Sequence, residues 1–440
     1  MSVDASDSTT ENRSTPDGEA PDRTAAKGSG WRRWAMDTRP LRRPAYRRLW
    51  SSTIVTSVGS QLTAVAVPKQ IYDITGSSAW VGYASLAGLL PLTLFALWGG
   101  AIADSMDRRK LLLITNAGLA VTSVLFWVQA FTGLDSVPVL MVLLALQQAF
   151  FGLNAPARSA SIARLVPAEE LPAANALGST VMQTGSIAGP LLAGVLIPVI
   201  GLSELYLVDA VALCVTVWAV VRLPALPPET TTSAARKRAG WRAVADGFRY
   251  MSLHKVLLLS FVADIIAMVF GMPRALFPQL AAHTFASYGQ GLALGLLFAA
   301  IPIGAVLGGL MSGTFSRARR HGLMVIASVI AWGAAVAGLG LTTNLWVAVA
   351  FLAAAGVADM VSMVFRGAIL LSAATDEMRG RMQGVFTVVV AGGPRLADVL
   401  HGTLGSAFGV RAAVTGGGLL VIAATLGLAL ATPALREYRI

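Results

Sequence analysis

The chain has 440 residues, of which 55% are hydrophobic and 13% charged, and its mean hydropathy is +0.66. Soluble domains carry about 25% charged residues, so the composition excludes an ordinary soluble globular domain and points to an integral membrane protein. The formal net charge of +11 is not the mark of a nucleic-acid binder, because the bases sit in the N-terminal tail and in alternate loops, where anionic lipid and the positive-inside effect account for them.

Residues 1–45 open the chain. To about residue 40 they are rich in Ser, Thr, Asp and Gly with scattered Arg, a composition that cannot bury a core and predicts disorder. The apolar stretch and cleavage site of a signal peptide are missing, so the first apolar span is expected to act as its own insertion signal.

A bilayer crossing needs about 20 apolar residues. Twelve such spans are read near residues 49–74, 79–103, 110–132, 137–160, 172–200, 203–223, 256–282, 287–312, 322–341, 344–370, 380–407 and 410–432. Alternate loops carry Arg108/Arg109/Lys110, Arg158/Arg164, Arg236/Lys237/Arg238/Arg242/Arg249/Lys255, Arg317/Arg319/Arg320 and Arg379/Arg381. The intervening loops carry no Lys or Arg except Arg411. That asymmetry places both termini on the cytoplasmic side of the cell membrane.

The longest loop, 224–255, divides the spans into six (residues 46–223) and six (256–433), with 434–440 as a short cytoplasmic tail. Its last part puts Trp241, Val244, Phe248 and Met251 on one helical face, away from Arg242, Asp246 and Arg249. That pattern predicts an amphipathic helix on the inner membrane surface. The expected architecture is all-α: twelve transmembrane helices in two pseudo-symmetric six-helix bundles. An internal repeat of a little over 200 residues relates the halves. Gly100-x3-Asp104-x3-Arg108 is echoed by Gly309-x3-Gly313-x3-Arg317, Arg158 by Arg366, Glu169-Glu170 by Asp376-Glu377, and Gly189-Pro190 by Gly393-Pro394.

With these motifs the chain resembles the major facilitator superfamily. The loop between spans 2 and 3 matches that superfamily's conformational motif at Gly100, Asp104, Arg108 and Arg109, while Ser105 and Asp107 depart from it. An acid at Asp107 is similar to the drug:proton antiporter branch that holds the enterobactin exporter and macrolide efflux pumps. Ala66-Val-Pro-Lys-Gln-Ile71, Pro273-Arg-Ala-Leu-Phe-Pro278, Ala299-Ala-Ile-Pro-Ile-Gly304 and the segment 376–384 resemble that branch too. The antiporter motif of span 5 is matched by Gly185, Gly189, Pro190 and Gly194, with Ala176 and Ala193 in place of two glycines. Small residues there allow close helix packing and Pro190 bends the span. The resemblance implies that Asp104 meets the N-terminus of span 11, where the helix dipole favours a carboxylate, and that Arg108 and Arg109 reach acids such as Asp107 or lipid phosphates. It also implies a monomer that exports its substrate.

A charge near the bilayer centre costs at least ~2.5–3.5 kcal/mol, so each one there has a reason. Lys69 and Asp73 read as an interfacial ion pair, and Asp209 as a capping or packing residue. Asp264, close to mid-membrane on span 7, is either a proton-coupling carboxylate or half of a structural pair. Asp359 and Arg366 share one face of span 10. Arg366 and its repeat mate Arg158 either hold an anionic substrate group, with Arg366 also able to neutralise Asp359, or lock the cytoplasmic halves together. Arg395 and Asp398, with His401 three residues on, read as an internal charge pair or a proton relay. The proton-coupling candidates are Asp264, Asp359 and Asp398. The substrate-cavity candidates are Arg158, Arg274, Arg366, Arg395, Gln61 and Gln148, with Gln147 and Asn154 as further polar lining. Trp80, Trp98, Trp127, Phe150 and Phe151 are assigned to lipid or core.

Other classes are disfavoured. None of the five lysines stands in a Gly-Lys-Ser/Thr phosphate loop, and no nucleophile elbow or metal-ligand cluster is present, so no enzyme activity, metal or cofactor is expected. The lone Cys214 leaves no internal disulfide. The expectation is a secondary exporter of a small molecule, siderophore-like first, that works by proton antiport through alternating access. A macrolide or multidrug efflux pump and a proton-coupled importer of the same fold are the alternatives.

Overall fold

The computed structural model describes residues 36–227, 241–373 and 375–439. Most of the tail expected over 1–45, and the bases Arg236, Lys237 and Arg238, lie outside the described residues. Twelve spans follow one another: α1 Pro44–Thr75, α2 Ser78–Ser105, α3 Arg108–Phe131, α4 Val137–Leu165, α5 (171–200), α6 (202–221), α7 Lys255–Gly271 with a short irregular continuation to Tyr288, α8 Gln290–Leu310, α9 His321–Leu341, α10 Leu345–Ala373, α11 Asp376–Phe408 and α12 Val410–Ala431. A surface helix, Trp241–Leu253, joins the halves.

Helix boundaries have local causes. Pro44 starts α1 at a position where a missing N–H costs nothing, and Gly76 ends it in the left-handed conformation at φ 63°. Between α5 and α6 the sequence suggests a loop. Instead the helix runs on with one non-helical residue, Gly201, at φ 84°. Only a residue without a side chain takes that conformation cheaply.

Nine described helices, with α5 and α6 counted as one, are apolar and long enough to cross a bilayer. The α1 and α11 helices fall short of that test because of Ser, Thr and Gln on α1 and the charges of α11. Both line the cavity described below.

Within the first bundle α1 packs on α5 and α6, α2 on α4, and α3 on α4 and α6; the second bundle repeats the scheme with α8 on α10 and α9 on α12. The bundles meet along two seams, α2 with α11 and α5 with α8, each the image of the other under the repeat. At the α5–α8 seam the helices touch backbone to backbone. A Cβ on Gly194 would lie 2.6 Å from the Gly291 carbonyl, and one on Gly295 2.7 Å from the Pro190 carbonyl. Such close approach is what small residues provide between membrane helices, where hydrophobicity itself supplies no drive to associate.

One end of the molecule carries the Arg-rich loops and the other is base-poor. Named contacts between the bundles close the base-poor end. The Tyr72 hydroxyl and His283 Nδ1 lie 3.4 Å apart, Ser78 Oγ donates to Gln279 Oε1 at 2.7 Å, and the Ser77 and Ser406 hydroxyls lie 3.1 Å apart.

The surface helix differs from expectation in one respect. Rather than meeting only lipid, it packs on α11 and α7; Met251 is buried and the Tyr250 hydroxyl donates to the Ala373 carbonyl at 3.0 Å. The side chains of Trp241, Arg242 and Val244 lie outside the described residues.

Candidate functional site: a cavity between the bundles

A cavity of about 360 Å³ lies where the bundles meet, closed toward the base-poor end by the contacts above. Its walls come from α1, α2, α4 and α6 on one side and from α11 and the residues just beyond α7 on the other. Of the substrate-cavity candidates, Gln61, Gln148, Arg274 and Arg395 line it, as does Gln147. Asp398 and Asp209 border it too. Phe151, assigned from sequence to lipid or core, also lines it, because the polar face of α4 turns it inward.

Arg395 and Asp398 do not pair with each other. Both cross the seam from α11 to Ser85 on α2: the Arg395 guanidinium donates to the Ser85 carbonyl at 3.3 Å and to Gln148 Oε1 at 3.4 Å, while Ser85 Oγ donates to Asp398 Oδ2 at 2.5 Å. A partner was expected along the helix. The helix–helix interface supplies a better one. Gly88 leaves room for this arrangement, since a Cβ there would sit 3.0 Å from both the Arg395 Nη1 and the Gln148 Cγ. The charge of Arg274 acts on both groups. This wall therefore offers two guanidinium groups, a carboxyl and amide oxygens to an oxygen-rich ligand, and Arg395 and Asp398 are bonded across the seam to the first bundle.

Arg366 and Arg158 stand apart from the cavity. Arg366 is buried on α10 and forms an ion pair with Asp264 on α7, and its Nη2 lies 3.9 Å from Asp359 Oδ1. Asp264 is thereby placed within the second bundle, off the cavity wall. Asp359 borders a separate void of about 30 Å³ shared with Met268, Trp332 and Ser362. The reason is charge balance: a buried guanidinium draws in the nearest carboxylates. Arg158, on α4 toward the basic end, is half-buried and pairs with no carboxylate among the described residues. The repeat is broken here, since the mate of Arg366 has no mate of Asp264.

Sequence reasoning missed the interruption of α7. The helix stops at Gly271, and Met272 and Pro273 take non-helical backbone before a 3-10 turn at Arg274–Leu276 and a π turn at Leu280–Thr284. The carbonyls freed at the break are capped from neighbouring helices: His401 Nε2 donates to the Phe270 carbonyl at 3.0 Å, and Trp332 Nε1 to the Gly271 carbonyl at 2.9 Å. Broken backbone survives at membrane depth only with such partners. His401 thus caps the break in α7 from α11. The signal for the break was Pro273 followed at once by Arg274.

The conformational motif is only partly described. The side chains of Gly100 and Asp104 lie outside the described residues, as do those of Asp376, Glu377, Arg379 and Arg381 near the start of α11. Asp107 caps α3, with its Oδ1 accepting from the Arg109 and Lys110 amides at 2.8 and 3.2 Å. The guanidinium groups of Arg108 and Arg109 do not reach Asp107. They bond to carbonyls at and just after the C-terminus of α6, Pro227 from Arg108 and Val221 from Arg109. Unpaired carbonyls and the negative end of the helix dipole draw them there. In the antiporter motif, Gly185 and Gly189 let α5 close on Ser57 and Gln61 of α1, and Gly194 lets it close on α8.

Comparison with known proteins agrees with this layout. Residues 35–439 match the family model described as transmembrane secretion effector. The chain is 28% identical over 412 residues to the enterobactin exporter EntS of Citrobacter koseri, covering 92% of this chain and 96% of that protein. It is 29% identical over 416 residues to EntS of Shigella dysenteriae serotype 1, with the same coverage. Among solved structures, the nucleoside transporter NupG superposes with a TM-score of 0.73 at 15% identity, covering 90% of this chain and 100% of that one. A bacterial homologue of the human lysosomal transporter Spinster, in an inward-facing and unoccupied conformation, superposes at 0.67 and 16% identity, covering 91% and 97%. The protein is a multi-pass membrane transporter rather than an enzyme. It belongs to the transmembrane secretion effector family of the major facilitator superfamily.

Proposed function

We propose that this transporter is a proton-coupled exporter of a small, oxygen-rich metabolite, siderophore-like in character, in the cell membrane with both termini in the cytoplasm. The observation that carries this reading is the cavity wall of Arg274, Arg395 and Asp398, shared between two bundles. A volume of about 360 Å³ falls in the range of small-molecule sites. Guanidinium forks suit anionic or phenolate oxygens. The likeness to enterobactin exporters along nearly the whole chain supports both the direction and the substrate class.

In this reading the basic end faces the cytoplasm, so closure at the base-poor end leaves the cavity to be loaded from inside. Substrate oxygens replace Ser85 and Gln148 on Arg395, and the seam between α2 and α11 loses its latch. The bundles then rock so that the base-poor end opens. After the substrate has left, a proton taken up from outside by Asp398 cancels its charge and the seam re-forms. Asp264 and Asp359 form a second protonatable group around Arg366, apart from the substrate. Arg158 supplies a positive landing toward the cytoplasmic end. The transporter acts as a monomer, with protons and lipid as its other partners.

Inside-out vesicles carrying the protein test this, with enterobactin and a panel of macrolides as probes and a pH-sensitive dye as readout. Substrate-dependent proton movement, reduced at least tenfold by Asp398→Asn, is the expected result. Preference for a macrolide over enterobactin would move the substrate class to drugs. Uptake in the opposite sense would make the protein an importer, and no proton movement with any probe would overturn the coupling.

A further inference from the structure

The first bundle contains a buried carboxylate that the scheme above does not use. Asp209 on α6 is 1% exposed and borders the cavity on the wall opposite Arg395. Its Oδ2 accepts two hydroxyl hydrogen bonds, from Thr63 on α1 at 2.7 Å and from Ser123 on α3 at 2.8 Å. Its Oδ1 has no hydrogen-bond partner and faces Gly59 of α1, where any Cβ would collide with it.

No charged side chain of the helices around it balances Asp209. From α1 it meets Thr63 and Gly59; from α3 it meets Ser123. On α6 the titratable neighbour is Tyr206, one turn earlier, whose hydroxyl donates to Gln70 Oε1 at 2.9 Å. The Lys69–Asp73 pair of α1 is closed on itself at 2.6 Å near the base-poor end. Across the cavity, Arg274, Arg395 and Asp398 answer one another and Ser85. A carboxylate taken out of water without a counter-charge is costly at membrane depth. Such a group carries a proton or holds a cation. Both hydroxyls are spent on the same oxygen, leaving Oδ1 with no ring of donors for a metal ion, which needs several oxygen ligands. A proton needs only the one free oxygen and a cavity from which water can reach it.

We propose that Asp209 is the proton-binding residue of the first bundle. Its carboxyl is neutral while the surrounding cavity is dry; when water enters, the O–H bond breaks, the proton passes to water as hydronium, and the carboxylate left behind is held by Thr63 and Ser123. The assignment deepens the proton-coupled reading and rests on it for its role in transport, but not for the chemistry of the group.

Infrared difference spectra of the purified full chain in proteoliposomes, recorded on stepping from acid to alkaline pH, test it directly. Wild type is expected to show a protonated-carboxyl band that Asp209→Asn lacks. Thr63→Val, which keeps the carboxyl, is expected to retain that band to more alkaline pH by about one unit, because the charged form loses a donor. Identical carboxyl bands in wild type and Asp209→Asn would overturn the proposal, and so would an unmoved band in Thr63→Val if Asp209→Asn fails to fold. A band that responds to sodium chloride at constant pH instead would make the site an alkali-cation site. The vesicle assay keeps the two readings separable. Wild type without proton movement sinks the coupled exporter while the spectra stand; full proton movement in Asp209→Asn removes Asp209 alone.

Discussion

At the residue scale, the energetics turn on ionised groups that have left water. Arg366 and Asp264 are both buried, and removing one partner of such a pair typically costs about 3–5 kcal/mol because the other is stranded. Asp264→Ala is therefore expected to lower the thermal melting point of the detergent-purified protein sharply. Asp264→Ala combined with Arg366→Leu should recover much of that loss. A double variant no better than the worse single one would show that the pair is not what holds these helices. Asp264, Asp359 and Arg366 were visible in the sequence as charges inside apolar runs, and the option of a structural pair for Asp264 was legible from its depth. The nearness of Asp359 and Arg366 was legible from their spacing on one helix, but the meeting of Arg366 with Asp264 was not, because α7 and α10 lie about a hundred residues apart and no periodicity crosses that gap. Asp209 was visible as well. Its environment was not, since Ser and Thr are scattered through most of these spans and nothing marks Thr63 and Ser123 as its donors.

At the element scale, hydropathy reads the number of spans well and their internal breaks poorly. Residues 256–282 are apolar throughout apart from Asp264, Arg274 and a few polar positions, so a window average passes over Met272 and Pro273. The break is fixed instead by capping chemistry from distant helices. His401→Ala should expose the Phe270 carbonyl to an apolar surround at a cost of about 1–3 kcal/mol, read as a lower melting temperature. His401→Gln, which still presents an N–H, should restore part of it. Equal losses in the two variants would mean that the ring's volume and not its hydrogen bond supports the break. The end of α6 teaches a similar lesson. From the resemblance Arg108 and Arg109 are expected to reach acids such as Asp107 or lipid phosphates, whereas their partners are the carbonyls of Pro227, in the segment after α6, and of Val221, the last residue of α6, and no residue code announces a carbonyl.

At the scale of the whole molecule, the repeat visible in four paired motifs becomes two bundles joined by two equivalent seams. The seams are lined by glycines, and the base-poor end is also held by hydrogen bonds between the bundles. Polar contacts between two rigid bodies can be exchanged for water at little cost, so the end they close is built to open. Ser77 and Ser406 provide the handle on this, with their hydroxyls 3.1 Å apart across the seam. In a Cys214→Ser background, Ser77→Cys with Ser406→Cys should form a disulfide under mild oxidation. That cross-link should abolish substrate-dependent proton movement in inside-out vesicles, and a reductant should restore it. Transport at the full rate through the cross-linked protein would contradict alternating access between the two bundles.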